Sequence, residues 1–320
     1  MRHHLYFASC VPDGGIYHYV LEDGSLKFHE KTGCDRPMYL EVTQETLRVL
    51  LRQPAEGRAE SGLVTYPLSR DGVPGEPGVQ VNTRGKVACH LCRYQESSYV
   101  ANYTSGSLFS TNGSLLELSG VGQDPLRQEA PHLHYVYPAP DQRCLLAVDL
   151  GLDAIYSCDE HLSILSTAHV PAGCGPRHLA YTEDGTVVFC ANELGASVSV
   201  FRYGETRLTY VETVSSLKEP AGENYPAAIR VQGNYVYVSN RGDDSIACLK
   251  WDGEHLKLQS VTPCGGSYPR DFLLVDGLLF CANEKGNSVT VFRVDGPVLT
   301  PVLEPLHIPA ALCVVAFSEK

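Results

Sequence analysis

The 320-residue chain reads as an all-β protein: one seven-bladed β-propeller of four-stranded blades, spanning residues 1–320 as a single domain. Three observations predict this. Segments built of short apolar strands recur at a spacing in the forties. Helical periodicity is almost absent between them. Each end of the chain carries only part of a repeat.

At the N-terminus, LYFASCVPDGGIYHYVL (5–21) matches the second half of a repeat. The second repeat (38–66) is degenerate, with LLRQPAEGRAESGLVTY in place of the usual turn. The third opens near Cys89 with CHLCRYQ, and the fourth opens near Pro131. The next three are plain: HLAYTEDGTVVFCANELGASVSVFRY (178–203), AIRVQGNYVYVSNRGDDSIACLKW (228–251) and DFLLVDGLLFCANEKGNSVTVFRV (271–294). Each runs strand, D-G or G-N turn, strand, Asn-centred turn, strand, which is hairpin chemistry. The Asn-type positions are Gln53, Asn102, Asp149, Asn192, Asn240 and Asn283, spaced by 49, 47, 43, 48 and 43 residues. IPAALCVVAF, opening near Pro309, supplies only a first strand. The two partial repeats, residues 5–28 and 307–318, therefore share one blade. They bring the count to seven and leave no open strand edge at the seam.

A formal charge of −12 and a pI near 5.4 exclude a nucleic-acid partner, which needs a basic surface. An anionic substrate must then be held by a local cationic cluster. No apolar run reaches the ~18 residues of a membrane span, and MRHHLYFASC lacks the apolar stretch of an export signal. The expectation is a cytoplasmic protein, a monomer or weak homo-oligomer, whose 12 cysteines are reduced thiols. Cys190 and Cys281 lie in apolar strands and act as small hydrophobes. The lone C-x-x-C of Cys89 and Cys92 lacks a second ligand pair, so two core thiols are expected there, with no metal and no cofactor.

Residues 127–134, RQEAPHLH, gather Arg127, Glu129, His132 and His134 within eight positions. In an antiparallel hairpin, facing residues have a constant index sum. That arithmetic sets Arg177 opposite Glu193, His132 opposite Asp149, and Arg241 opposite Asn224–Tyr225. All lie at the open ends of their hairpins, hence on one face of the disc. The first strand of a propeller blade is innermost, so this face converges on the channel mouth. Arg127, Glu129, His132, His134, Arg177, His178, Glu193, Arg241 and Arg270 are expected to meet there. Asn192, Asn240 and Asn283 read as turn residues that satisfy backbone groups. His29, His161, His169 and His255 read as solvent-exposed, and Glu284 with Lys285 as a solvated turn.

These same residues resemble a family. RQEAPHLH, the PD turn and DLGLD are similar to the RQE-x-PH-x-H, PD and DLG-x-D segment of the lactonase-type seven-bladed propellers. GPRH, NEL, SNRG and YPRD resemble that family's later motifs. The resemblance runs through nearly the whole chain and is strongest over 120–295. The family includes propeller-type 6-phosphogluconolactonases and fungal carboxy-muconate lactonizing enzymes, and the bacterial phosphogluconolactonase branch looks most similar. The resemblance implies active-site roles for His132 and His134, Arg177, Glu193 and Arg241. The second and third repeats depart from the family pattern, so no ligand contact is expected from them.

Together these readings predict hydrolysis of a sugar δ-lactone, with 6-phosphogluconolactone as the favoured substrate. His132 or His134 would be the general base. Arg177 or Arg241 would stabilise the oxyanion, Arg270 and Arg127 would clamp the phosphate, and Glu193 would orient an Arg or the His. His178 and Glu129 complete the substrate-binding set. The reverse chemistry, lactonization of a muconate-type acid, needs the same residue types. A non-enzymatic binding platform would instead show an exposed aromatic or apolar surface.

Overall fold

A computed structural model describes residues 1–52, 59–219 and 222–319, all as strands and turns. Seven sheets form a ring. Blade 1 closes the ring and takes its innermost strand, Ala311–Ser318, from the C-terminus and its other three, Arg2–Ser9, Gly15–Glu22 and Ser25–Thr32, from the N-terminus. The split is thus three strands to one, wider at the N-terminus than the sequence pattern indicates. Blades 2 to 7 follow in chain order, with innermost strands Pro37–Val42, Ala88–Tyr94, Leu133–Pro138, Pro176–Tyr181, Tyr225–Gln232 and Pro269–Val275. Blade 7 carries an extra two-residue strand, Leu306–His307. At the seam, His4↔Phe317 to Ala8↔Cys313 pair antiparallel, and His4 Nε2 lies 2.8 Å from the Glu319 carboxylate.

The core is a series of layers between blades, because each sheet must bury both faces against its neighbours. Phe189 and Val200 of blade 5 pack on Val236, Val238 and Leu249 of blade 6. Tyr237 and Cys248 of blade 6 pack on Phe272 and Cys281 of blade 7. Burying one such side chain contributes roughly 1.5–3 kcal/mol. The alternation along each strand thus feeds two different interfaces.

The recurring Asn is a clamp. Asn102, Asn192, Asn240 and Asn283 are all fully buried, and each Nδ2 donates to the hydroxyl of the Ser five residues on, at 3.0–3.5 Å. In blade 4, Asp149 substitutes: its Oδ1 accepts from the amides of His132, Gly151 and Leu152. Gln53 lies outside the described residues. Leu51 pairs with Pro37 as Asn192 pairs with Pro176, so Leu51, not Gln53, holds this position in blade 2.

Every innermost strand shifts register at the same place. The pairing jumps between Pro37 and Tyr39, Ala88 and His90, Leu133 and Tyr135, Pro176 and His178, Pro226 and Ile229, and Pro269 and Asp271. In blade 1 the jump skips Leu312. An extra residue in one strand re-aims its own side chain. This device builds the site.

Candidate active site

Two positions recur in each blade at the end of the ring that carries the cavity. One is the extra residue of the bulge: Met38, Cys89, His134, Arg177, Ala227, Arg270 and Leu312 in blades 2 to 7 and 1. The other follows the Asn-type residue: Arg52, Tyr103, Leu150, Glu193, Arg241, Glu284 and Cys10. Nine of these fourteen side chains line a cavity of about 460 Å³, together with Val87, Thr104, Arg127, Tyr268 and Lys285. That volume suits a small molecule.

Glu193 is the electrostatic centre. Its carboxylate is 7% exposed and receives three guanidiniums: Arg127 Nη2 on Oε1 at 2.6 Å, Arg241 Nη2 on Oε2 at 2.6 Å, and Arg177 Nε 3.0 Å from Oε2. Burial alone would raise its pKa, but Arg241, Arg177 and Arg127 hold it well below the usual carboxylate range. Arg177 also donates to the Ala227 carbonyl at 2.8 Å, tying blade 5 to blade 6. Burial and the charges of Arg241 and Arg270 pull its pKa down to about 9, so it stays cationic at neutral pH. Arg241 Nε donates to the Tyr225 carbonyl, and its guanidinium sits 5.2 Å from the Tyr268 ring centroid. Arg270 makes the equivalent pair in blade 7, with Glu284 at 3.3 Å.

The backbone around these groups is pinned by the motifs that flank them. Asp153 accepts from the amides of Gly173 and Gly175 at 2.7 Å, fixing the turn that leads to Arg177. Buried Gln128 bonds the amides of Gln123 and Asp124 and the Leu150 carbonyl, which braces the loop carrying Arg127. After Arg241 the chain turns at Gly242 with φ of +107°, where a Cβ would strike the Glu223 carbonyl.

The two histidines of PHLH part company. His134 lines the cavity. Its Nδ1 is buried without a partner, which leaves Nε2 as the nitrogen open to the cavity. Burial and Arg177 push its pKa well below the usual imidazole value, so the ring is neutral. His132 points away from the cavity. Its ring stacks on Tyr103 at 4.4 Å, Nδ1 meets the Tyr103 carbonyl at 3.2 Å, and Nε2 lies 3.3 Å from Glu129. His132 therefore props Tyr103, and Glu129 is an exposed residue beside it.

The residue after each bulge fills the channel below. His178 is 5.3 Å from both His134 and His90, and His90 packs on Tyr39 and Tyr135 at 4.2 and 4.1 Å. His178 accepts from Arg177 at 3.2 Å and does not line the cavity. This plug separates the cavity from a second concavity of about 400 Å³ at the opposite mouth. The burial of His90 and His178, and the nearby Arg230 and Arg177, keep both imidazoles neutral.

The sequence reading needs four corrections. Arg177 does not face Glu193 in the ladder: Glu193 donates its amide to Gly175, and the bulge alone turns Arg177 onto its carboxylate. Leu133, not His132, faces Asp149. Arg241 does pair with Tyr225. Glu284 and Lys285 line the cavity rather than forming only a solvated turn, and blades 2 and 3 contribute Met38, Arg52, Cys89 and Tyr103. Position after the Asn-type residue is the signal that would have found Arg52, Tyr103 and Glu284. Among the described residues, no cluster of His, Cys, Asp and Glu has metal-binding geometry.

Residues 4–316 match the model of one family, described as lactonase, 7-bladed β-propeller. An uncharacterized protein of Staphylococcus saprophyticus is 28% identical over 306 residues, covering 88% of each chain. A Lactobacillus plantarum protein structure superposes with a TM-score of 0.90 at 25% identity, covering 99% of this chain and 100% of that one. The Pseudomonas aeruginosa periplasmic gluconolactonase PpgL gives 0.89 at 22% identity, covering 99% of each chain. A Bacteroides fragilis candidate 6-phosphogluconolactonase gives 0.87 at 24% identity, covering 99% of this chain and 98% of that one.

Proposed function

Since the chain belongs to the seven-bladed β-propeller lactonase family, we propose that its cavity hydrolyses a sugar δ-lactone, 6-phospho-D-glucono-1,5-lactone. One observation carries the reading. The neutral His134, with Nε2 open to the cavity, shares that cavity with Glu193, Arg241 and Arg270, and Arg177 stands beside it.

Lactone opening needs an activated water and a stabilised oxyanion. A neutral imidazole can take a proton from water, whereas an imidazolium cannot. His134 Nε2 accepts that proton as the hydroxide oxygen bonds to the lactone carbonyl carbon. The carbonyl oxygen becomes anionic, and the guanidinium of Arg241, backed by Arg177, stabilises it. The ring C–O bond then breaks, and the leaving alkoxide takes the proton back from His134. Glu193 holds the guanidiniums in place, so little reorganisation accompanies the reaction. The product is the open hydroxy acid, which loses its carboxyl proton to solvent.

The proposal takes the protein to act in the cytoplasm on a small anionic lactone, as a monomer or weak homo-oligomer. The twelve unpaired cysteines are in keeping with a reducing compartment. The test is proton release from freshly generated 6-phosphogluconolactone, corrected for spontaneous opening. Turnover above that background, lost in His134→Ala, is expected. No turnover of phosphorylated or plain gluconolactone, with cyclisation of a muconate-type acid instead, would replace hydrolysis by the lactonizing reaction.

A further inference from the structure

Six cationic side chains stand in or beside the cavity: Arg52, Arg127, Arg177, Arg241, Arg270 and Lys285. Only two carboxylates, Glu193 and Glu284, oppose them there. A neutral lactone brings no charge, and its tetrahedral transition state brings one negative charge. The remaining excess sits inside a chain whose formal charge is −12. Like charges gathered around one cavity repel, so such an excess implies a ligand that supplies further negative charge.

The cations divide by location. Arg127, Arg177 and Arg241 are committed to Glu193, on the side of blades 4 to 6. Arg270 is committed to Glu284. Arg52 of blade 2 and Lys285 of blade 7 pair with no carboxylate among the described residues. They flank blade 1, whose two mouth positions are the uncharged Leu312 and Cys10. Lys285 is also placed: its Nζ lies 3.7 Å from the Tyr268 ring centroid. A cation–π contact of this kind fixes direction while leaving N–H donors on the side away from the ring.

We propose that Lys285 and Arg52, from the two blades that flank blade 1, form a subsite for a phosphomonoester dianion on the substrate, opposite the His134 half of the cavity. The inference rests on the lactonase reading and deepens it. It moves the phosphate away from Arg127, whose charge is already met by Glu193. A point-charge ammonium and a forked guanidinium from two different blades suit a tetrahedral dianion better than a planar carboxylate, which one Arg satisfies.

Both residues are exposed, so Lys285→Ala and Arg52→Ala should fold. Losing one charge-assisted contact typically costs about 10–100-fold in affinity. Each variant should raise KM for the phosphorylated lactone by that order and leave its kcat near the wild-type value. KM for plain gluconolactone should stay unchanged, and Lys285→Arg should recover most of the loss. Equal effects on both lactones, or none on either, would overturn the subsite. Should neither lactone be turned over, the lactonase reading fails and calorimetry with inorganic phosphate still decides the subsite. Binding weakened in Lys285→Ala and Arg52→Ala supports it, and unchanged or absent binding refutes it.

Discussion

Arg241 Nη2 and Glu193 Oε2 meet at 2.6 Å across the boundary between blades 6 and 5, and both side chains are almost fully buried. The same carboxylate holds Arg127 from blade 4's entry loop and Arg177 from its own blade. One acidic residue therefore locks three cations drawn from three consecutive repeats.

Glu193→Gln should be the most damaging single change in the cavity wall. It preserves shape but leaves three guanidiniums without their counter-charge. Breaking a buried ion pair on one side costs about 3–5 kcal/mol. Urea unfolding should show that loss. A midpoint equal to that of the wild type would mean that the cluster is solvated and contributes little.

His134→Ala and His132→Ala should differ sharply in kinetics. Losing a general base costs ~10²–10⁴-fold in rate, and only His134 opens to the cavity. Its loss should lower kcat with KM little changed. His132→Ala should loosen Tyr103 and lower thermal stability while keeping most of the activity. Equal loss of kcat in both variants would return the base assignment to an open question.

The pH dependence of activity follows from the depressed pKa of His134. The active neutral form persists below the ordinary imidazole value near 6.5. The acid limb of kcat should therefore fall well below pH 6.5. A midpoint at 6.5 or above would contradict the buried environment of this ring.

Stability should fall on the acid side in two stages. His90, His134 and His178 all have folded pKa values below the unfolded value. Above about pH 6.5 they are neutral in both states and the full stability is present. Below it the unfolded chain binds protons that the folded chain refuses, at about 1.4 kcal/mol per pH unit for each ring. Glu193, also depressed, holds its contribution above its unfolded pKa near 4.3 and loses it as pH falls further. His178→Phe should flatten the first stage. An unchanged slope between pH 6.5 and 5 would show that the channel rings are hydrated.

The cysteine that lines the cavity, Cys89, should be chemically quiet. All 12 cysteines are free, and Cys89 has its thiol pKa pushed up to about 12 by burial. Iodoacetamide at neutral pH should not inactivate the protein, and thiol titration after unfolding without reductant should find every cysteine. Rapid inactivation that maps to Cys89 would show a thiolate the structure does not support.

The repeat made the fold legible. Seven copies of one strand and turn pattern specify seven blades, because each copy alone cannot bury both sheet faces. The same pattern located the face on which the polar residues gather, since open hairpin ends all point one way. Together with the RQEAPHLH cluster it directed Arg127, His132, His134, Arg177, Glu193, Arg241 and Arg270 to that face, without deciding between the two histidines.

Which side chains enter the cavity was decided only by the tertiary structure. Strand alternation puts His132 and His134, two residues apart, on the same side. The bulge at His134 breaks that parity and sends the two rings in different directions. The same insertion turns Arg177 onto a carboxylate that the ladder does not place opposite it. Glu284 and Lys285 read as a solvated turn, and Arg52 and Tyr103 drew no functional reading, because the cavity they line is assembled from different blades and only ring closure brings blades 2 and 7 to it. Local pattern fixes how each blade is made, but a bulge shifts side-chain direction by one residue, and only packing around the common axis decides where that residue points.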